Sequence, residues 1–199
     1  MLECRRAIKV INVGRQFSNH YTYRSDIMLK KFDVGLFVGR FQPFHIGHMH
    51  ALKLAMASCK KLVIVVGSSQ KSGTKTNPLS VDSRIRIIRA ALKGAGINDR
   101  NLSFIAVPDF ENDDAWFSYI RGMAPRIDAV FSRNPVVKRI FRARGIAVLA
   151  PRWHMRRKFS ATNVRQRIRS GKKWRNMVPE GAIKEMESHE EEIRKAKID

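Results

Sequence analysis

The sequence is poor in cysteine, with only Cys4 and Cys59. Two thiols cannot build a disulfide framework, and this pair shows no metal-ligand spacing. Cys59, placed near the end of an expected helix, reads as a core residue rather than a nucleophile. Long apolar runs are also absent. The longest, such as Leu62-Val63-Ile64-Val65-Val66, fall far short of the ~20 residues that a spanning helix needs. The first thirty residues hold Arg5, Arg6, Lys9, Arg15 and Arg24 but no apolar segment of signal-peptide length. No internal repeat and no low-complexity tract is found. These absences argue against a disulfide-stapled secreted scaffold and a helical membrane protein, and they predict a cytoplasmic protein without a membrane partner.

What is present fits one α/β core. The chain has 199 residues, 44% hydrophobic and 28% charged, as in ordinary globular proteins. Its net charge of +22 points to an anionic partner: nucleic acid, an anionic membrane surface, or small polyanions such as nucleoside triphosphates. The charge is unevenly distributed. Residues 151–175 contain ten bases and no acid, whereas 180–199 contain seven acids and four bases.

Five short apolar runs predict strands at 34–38, 62–66, 102–107, 129–131 and 146–150. They are rich in β-branched residues and mostly do not alternate, as expected of strands buried on both faces. Helical patterns lie between them at 48–58, 82–93, 113–123 and 135–144, with Gly94, Gly96 and Gly145 as helix-closing punctuation. Such alternation predicts a doubly wound parallel five-stranded sheet. Further helices are expected near 160–170 and from about 180 to 195, the last as a surface helix with a sparse stripe of Ile183, Met186 and Ile193. The expected organisation is a flexible N-terminal extension over 1–31, a single domain over 32–187 and a charged C-terminal tail over 188–199. The alternative expectation for this region is that translation starts at Met28, just before the first strand.

In a doubly wound sheet, ligands bind beyond the carboxyl ends of the strands where strand order reverses. The first strand ends in Gly39-Arg40-Phe41-Gln42-Pro43-Phe44-His45-Ile46-Gly47-His48. Gly39 permits a tight backbone, Pro43 stiffens the loop, and Gly47 leaves the backbone open to a flat ligand group. His45 and His48, three apart at a helix start, can face one spot beside helix amides that favour an anion. Two imidazoles and free amides can stabilise charge on a phosphoryl group in transfer. No residue here is an evident nucleophile, so direct attack by a second substrate is the simpler chemistry. Ser160-x-Thr162-x-x-Arg165 makes a second possible phosphate cradle at a helix start, or equally a plain cap with a solvated arginine. Trp116 suits stacking on a cationic ring, or the apolar face of its helix. Asn134 suits hydrogen bonding to a base or ribose, or a cap before Pro135. Asn77 and Asp109 are weaker site candidates, each also readable as a turn residue.

The run GRFQPFHIGH resembles the archaeal type of nicotinamide-nucleotide adenylyltransferase. Its His-Ile-Gly-His core is similar to the signature of the wider nucleotidyltransferase superfamily, shared with class I aminoacyl-tRNA synthetases. The resemblance spans about residues 33–187. It continues through Gly67-Ser68-Ser69-Gln70, Asn77-Pro78-Leu79 with Arg84, Pro108-Asp109 with Trp116, Phe131–Pro135, Phe159–Arg165, Trp174 and Val178-Pro179. It implies a Rossmann-like nucleotidyltransferase fold with C-terminal helices. The implied reaction joins ATP and nicotinamide mononucleotide into NAD and pyrophosphate, with Mg²⁺ held mainly by substrate phosphates and no protein metal site. The implied catalytic residues are His45, His48 and Arg165. ATP would be bound by Gly39, Arg40, Phe41, Gln42, Gly47, Ser160, Thr162 and Arg165, and the mononucleotide by Ser68, Asn77, Arg84, Asp109, Trp116 and Asn134. A homo-oligomer is also implied, and nucleic acid is not required.

Three positions depart from the resemblance. Gly73 stands where a histidine is expected before Thr74, Ser83 where an acid is expected before Arg84, and Asn163 where a glutamate is expected. The rival chemistry is adenylyl or cytidylyl transfer to another phosphorylated acceptor, such as flavin mononucleotide or phosphopantetheine. A tRNA synthetase is disfavoured by chain length and by the lack of a KMSKS-like loop. A non-catalytic nucleic-acid binder would use the basic charge, but Trp153, Phe159 and Trp174 are the only aromatics in the basic run, a thin platform for stacking bases.

Overall fold

The computed structural model describes residues 31–151 and 159–197. The expected N-terminal extension and part of the basic run therefore lie outside the described residues. Five parallel strands, β1 (Phe32–Gly39), β2 (Cys59–Gly67), β3 (Leu102–Val107), β4 (Ala129–Phe131) and β5 (Ala147–Leu149), form one sheet in the order β3-β2-β1-β4-β5. The chain moves outward from β1 to β3, then returns to the other side of β1 for β4. The reversal lies between β1 and β4, and a crevice forms at their carboxyl ends.

Alternate residues of the central strands serve two cores. Phe37, Leu62, Ile64 and Val66 belong to one, and Leu36, Val63 and Val65 to the other. This double burial accounts for the continuous apolar runs in the sequence. Helices α1 (Ile46–Ser58), α2 (Val81–Gly94) and α5 (Ala161–Arg169) contribute to the first core. Helices α3 (Asp113–Met123) and α4 (Pro135–Arg142) contribute to the second. Cys59 is buried as the first residue of β2, directly after α1 rather than within it.

Local chemistry sets the helix starts. Ser80 accepts from the Ser83 amide, Asn112 from Ala115, Asn134 from Val136 and Ser160 from Asn163. Pro135 occupies the first turn of α4, where its missing N–H costs nothing. Gly96 and Gly145 take positive φ after α2 and α4, as their punctuation suggested. Gly94 has a different reason. A Cβ there would lie 2.4 Å from Cα of Gly181, so the two glycines let α2 and the C-terminal segment meet backbone to backbone.

The C-terminal region corrects the expectation of one surface helix. It comprises 3₁₀ turns at Arg175–Met177 and Glu180–Ala182, then α6 (Ile183–Glu187) and α7 (Glu190–Lys195). The break falls at Ser188, whose hydroxyl donates back to the Glu185 carbonyl at 2.7 Å and competes with helix continuation. Met186 and Ile193 are fully buried in the first core rather than forming a surface stripe. The segment expected as a charged tail from 188 is therefore packed onto the domain through α7.

Candidate active site

Loop 40–45 leaves β1 under several constraints. The Phe41 ring is buried between Phe37 and Phe44, and its backbone takes φ +52. A Cβ on Gly39 would lie 2.7 Å from that ring, so glycine is required for the chain to leave the strand this way. Gln42 is buried and bonds Leu79 at both ends of its amide, donating to the carbonyl at 2.8 Å and accepting from the amide at 3.0 Å. Both Phe41 and Gln42 thus build the loop instead of lining the crevice.

His45 and His48 form a reciprocal cap on α1. The His48 amide donates to Nδ1 of His45, and the His45 amide donates to Nδ1 of His48, each at 3.3 Å. The rings stack with centroids 3.7 Å apart. Because each Nδ1 accepts, each neutral imidazole carries its proton on Nε2. Burial pushes the His45 pKa down to about 4. Burial and the neighbouring His45 hold His48 well below the ordinary histidine range. The pair is a set of neutral donors at physiological pH. His45 is only 1% exposed and lies behind His48, which reaches the crevice wall.

The crevice contains two adjoining cavities. One, of about 280 Å³, lies between α3 and α4 and is lined by Ser68, Asp109, Phe110, Asn112, Asp113, Trp116, Val136 and Ile140 among others. The second, of about 190 Å³, is lined by Gly47, His48 and Ala51 of α1, by Phe131, Ser132 and Arg133 after β4, and by Pro151. Val38, Gly39, Arg40 and Asn134 line both. Phe110, Asn112, Asp113, Val136, Ile140 and Ala51 were not singled out as site residues in the sequence. Asn112 and Val136 occupy ordinary capping and first-turn positions, and nothing local distinguishes them as walls.

The α3–α4 cavity has an acidic wall. Asp109 accepts from the Ser68 hydroxyl at 2.8 Å and from Gln70, and pairs with Lys71 at 2.8 Å. Burial works against its ionisation, but the hydrogen bonds from Lys71 and Ser68 outweigh it, so its pKa falls below the ordinary carboxylate value. Ser68 takes φ +50 at the end of β2, matching the positive φ of Phe41 at the end of β1. Trp116 lines the cavity while its ring meets Phe141 edge-on at 6.0 Å, so it packs against the second core and also borders the crevice.

Arg84 does not face the cavity, which corrects its assignment as a mononucleotide ligand. It is 0% exposed, and its guanidinium donates to the carbonyls of Arg40, Gly67 and Ser68 and, through Nε, to Ser80. Burial and the nearby Arg40 lower its pKa to about 10, still leaving it cationic at neutral pH. Its place under the carboxyl ends of β1 and β2 makes it a brace. Asn77 is likewise buried outside both cavity walls, with its side-chain oxygen accepting from Arg40 at 3.5 Å. Arg165 is 8% exposed and donates to the Gln42 carbonyl at 2.7 Å, fastening α5 to the first loop. Ser160 and Thr162 stand at the start of α5. The carbonyl of Phe159, next to them, is 3.6 Å from where a Cβ on Gly47 would be.

The chain is similar to known proteins. The cytidylyltransferase-like family model matches residues 36–167, which include loop 40–45, both cavities and Arg165. The nicotinamide-nucleotide adenylyltransferase of Ignicoccus hospitalis is 44% identical over 145 residues, covering 72% of this chain and 85% of that protein. The chain belongs to the nicotinamide-nucleotide adenylyltransferase family.

Other members give the same picture. The Saccharolobus solfataricus adenylyltransferase is 38% identical over 150 residues, covering 75% of this chain and 87% of that protein. A bifunctional NMN adenylyltransferase/ADP-ribose pyrophosphatase of Francisella tularensis, complexed with AMP and a manganese ion, matches with a TM-score of 0.64 and 26% identity. The match covers 73% of this chain and 44% of that one, so the adenylyltransferase family member described here spans less than half of the bifunctional protein. A second structure of the Francisella protein has a TM-score of 0.71 at 22% identity over 81% of this chain and supports the Rossmann-like nucleotidyltransferase fold. Among the described residues, no helix is long and apolar enough to cross a membrane.

Proposed function

We propose that this chain joins ATP and nicotinamide mononucleotide to give NAD and pyrophosphate. The observation that carries the reading is the pair of cavities meeting at Gly39, Arg40 and Asn134, one walled by His48 and the other by Trp116. Two ligands placed in them meet at the end of β1. A phosphate oxygen of the mononucleotide attacks the α-phosphorus of ATP, a new P–O bond forms, and the bond to the β-phosphate breaks to release pyrophosphate.

In this reading ATP occupies the α1-side cavity, with its phosphates toward the α1 amides and His48. The neutral Nε2–H of His48 donates to an α-phosphate oxygen as charge builds there. His45 holds the His48 ring and caps the helix, and so acts as a positioning residue. Arg40, exposed on the shared wall, neutralises the polyphosphate. Ser160 and Thr162 extend the phosphate wall, and Arg165 keeps that turn of α5 against the loop. On the other side Trp116 stacks on the nicotinamide, and the Ser68–Asp109 wall receives its polar edge.

The donors around the phosphate side are imidazole, guanidinium, hydroxyl and amide groups, and among the described residues no group of three or more His, Cys, Asp or Glu is arranged to hold a metal ion. That set does not make a carboxylate cage, so Mg²⁺ would arrive bound to ATP oxygens. When bound it offsets phosphate charge. The test is a chromatographic assay with ATP, Mg²⁺ and nicotinamide mononucleotide, run beside nicotinic acid mononucleotide and flavin mononucleotide. NAD is the expected product, and its absence from a folded sample rejects the proposal. The proposed homo-oligomer is read separately by light scattering.

A further inference from the structure

The C-terminal segment makes a set of contacts that the reaction scheme does not use. Lys197 donates its backbone N–H to the Gly73 carbonyl at 3.0 Å and forms a parallel bridge with Thr74. Arg169 of α5 grips two carbonyls at once, with Nε on Ile193 at 3.1 Å and Nη2 on Lys75 at 2.8 Å. Ile193 is fully buried in the first core, so the segment has a firm anchor.

The gripped loop leads directly to the site. Within it, Gly73 donates to the Pro78 carbonyl, Thr74 donates to the Asn77 carbonyl, and Asn77 donates back to the Thr74 hydroxyl. On its far side, Asn77 accepts from Arg40 and Leu79 holds both ends of the Gln42 amide. Loop 73–79 is thus held between the C-terminal segment and loop 40–42. Gly73 has φ +69, a conformation that the histidine expected there would adopt only with strain. The departure therefore coincides with the docking point of Lys197.

We infer that residues 193–197, gripped by Arg169, are a positioning strap that holds loop 73–79 and, through Asn77 and Leu79, sets Arg40 for the polyphosphate. The catalytic half of this inference rests on the proposed adenylyl transfer, whereas the structural half does not. Arg169 touches neither cavity and is a positioning residue, not a catalytic one.

Two variants remove the strap by different routes. Arg169→Ala releases both carbonyl grips, and a chain ending at Ala196 removes the Lys197 bond while keeping Ile193 and α7. Lys172→Ala serves as a charge-loss control. In the ligand-free protein, hydrogen exchange of the Gly73, Thr74 and Asn77 amides is expected to speed up roughly threefold to tenfold in both variants, with β1 and β2 unchanged. In steady-state assays, KM for ATP is expected to rise by roughly the same factor, with kcat and the mononucleotide KM little altered. Arg169→Lys should recover part of both effects, since it retains one grip. Unchanged exchange at 73–77, or faster exchange throughout the sheet, overturns the strap. Equal rises in both KM values overturn its link to Arg40. If wild-type protein makes no NAD, the reaction is rejected, and the exchange result still judges the strap.

Discussion

His48 and Trp116 stand on different walls of one crevice, and their replacements should fail in different ways. His48→Ala removes the proposed donor to transition-state charge and should lower kcat by about 100-fold or more, whereas losing its half of the α1 cap should cost only about 1 kcal/mol of stability, too little to explain that fall. Trp116→Ala should mainly raise the mononucleotide KM, by roughly tenfold for a lost stacking contact. It should also cost some stability, because the ring packs on Phe141; Trp116→Phe, which keeps an aromatic face, separates the two effects. The histidine environment has a consequence for pH. His45 titrates at 6.5 when unfolded but only at about 4 when folded, so between those values the unfolded chain binds the proton first. Stability should therefore fall as pH drops from 6.5 toward 4, by about 3 kcal/mol from His45 alone, measurable by urea denaturation at several pH values. Above pH 6, kcat should show no histidine titration.

At the scale of elements, the most exacting contact is between α2 and the 3₁₀ turn Glu180–Ala182. A Cβ on Gly181 would lie 2.6 Å from Cα of Gly94 and 2.7 Å from the Ala90 carbonyl, both backbone atoms that cannot swing away. Gly181→Ala should destabilise the fold by about 2 kcal/mol, read from the denaturation midpoint, without altering kcat of the folded fraction. This contact also marks where sequence reading stops. Gly94 reads as helix punctuation, and nothing near it announces a partner in the C-terminal segment. The strands and most helices were legible because their signals are local: apolar runs buried on both faces, capping side chains, and Pro135 at a first turn. The C-terminal helices were less legible, since Ile183, Met186 and Ile193 keep helical spacing across a break that Ser188 and tertiary packing impose.

For the whole molecule, the net charge of +22 acts on substrates that are anions. Long-range attraction of this kind is screened within about 8 Å at physiological salt and about 3 Å at 1 M. Raising NaCl toward 1 M should therefore increase KM for ATP several-fold while leaving kcat nearly constant, as checked by steady-state kinetics at fixed Mg²⁺. A basic protein serving nucleic acid would instead show steep salt-dependent DNA binding without turnover.

The sequence by itself determined the parallel α/β order, the family and the place of the reacting loop, since each depends on short-range patterns: strand burial, helix capping and the run from Gly39 to His48. The tertiary structure alone decided what each residue of that site faces. It turned Arg84 inward as a brace under β1 and β2, set His45 behind His48, and fastened Arg165 to the Gln42 carbonyl. It also assembled the cavity walls from Phe110 and Asp113 of the β3–β4 crossover and Val136 and Ile140 of the β4–β5 crossover. Side-chain direction and long-range closure depend on packing between distant segments, and a local sequence window carries no record of them. The proposal of a phosphate site at the paired histidines comes from their spacing and place in the chain, but only the fold separates the one on the wall from the one that holds it.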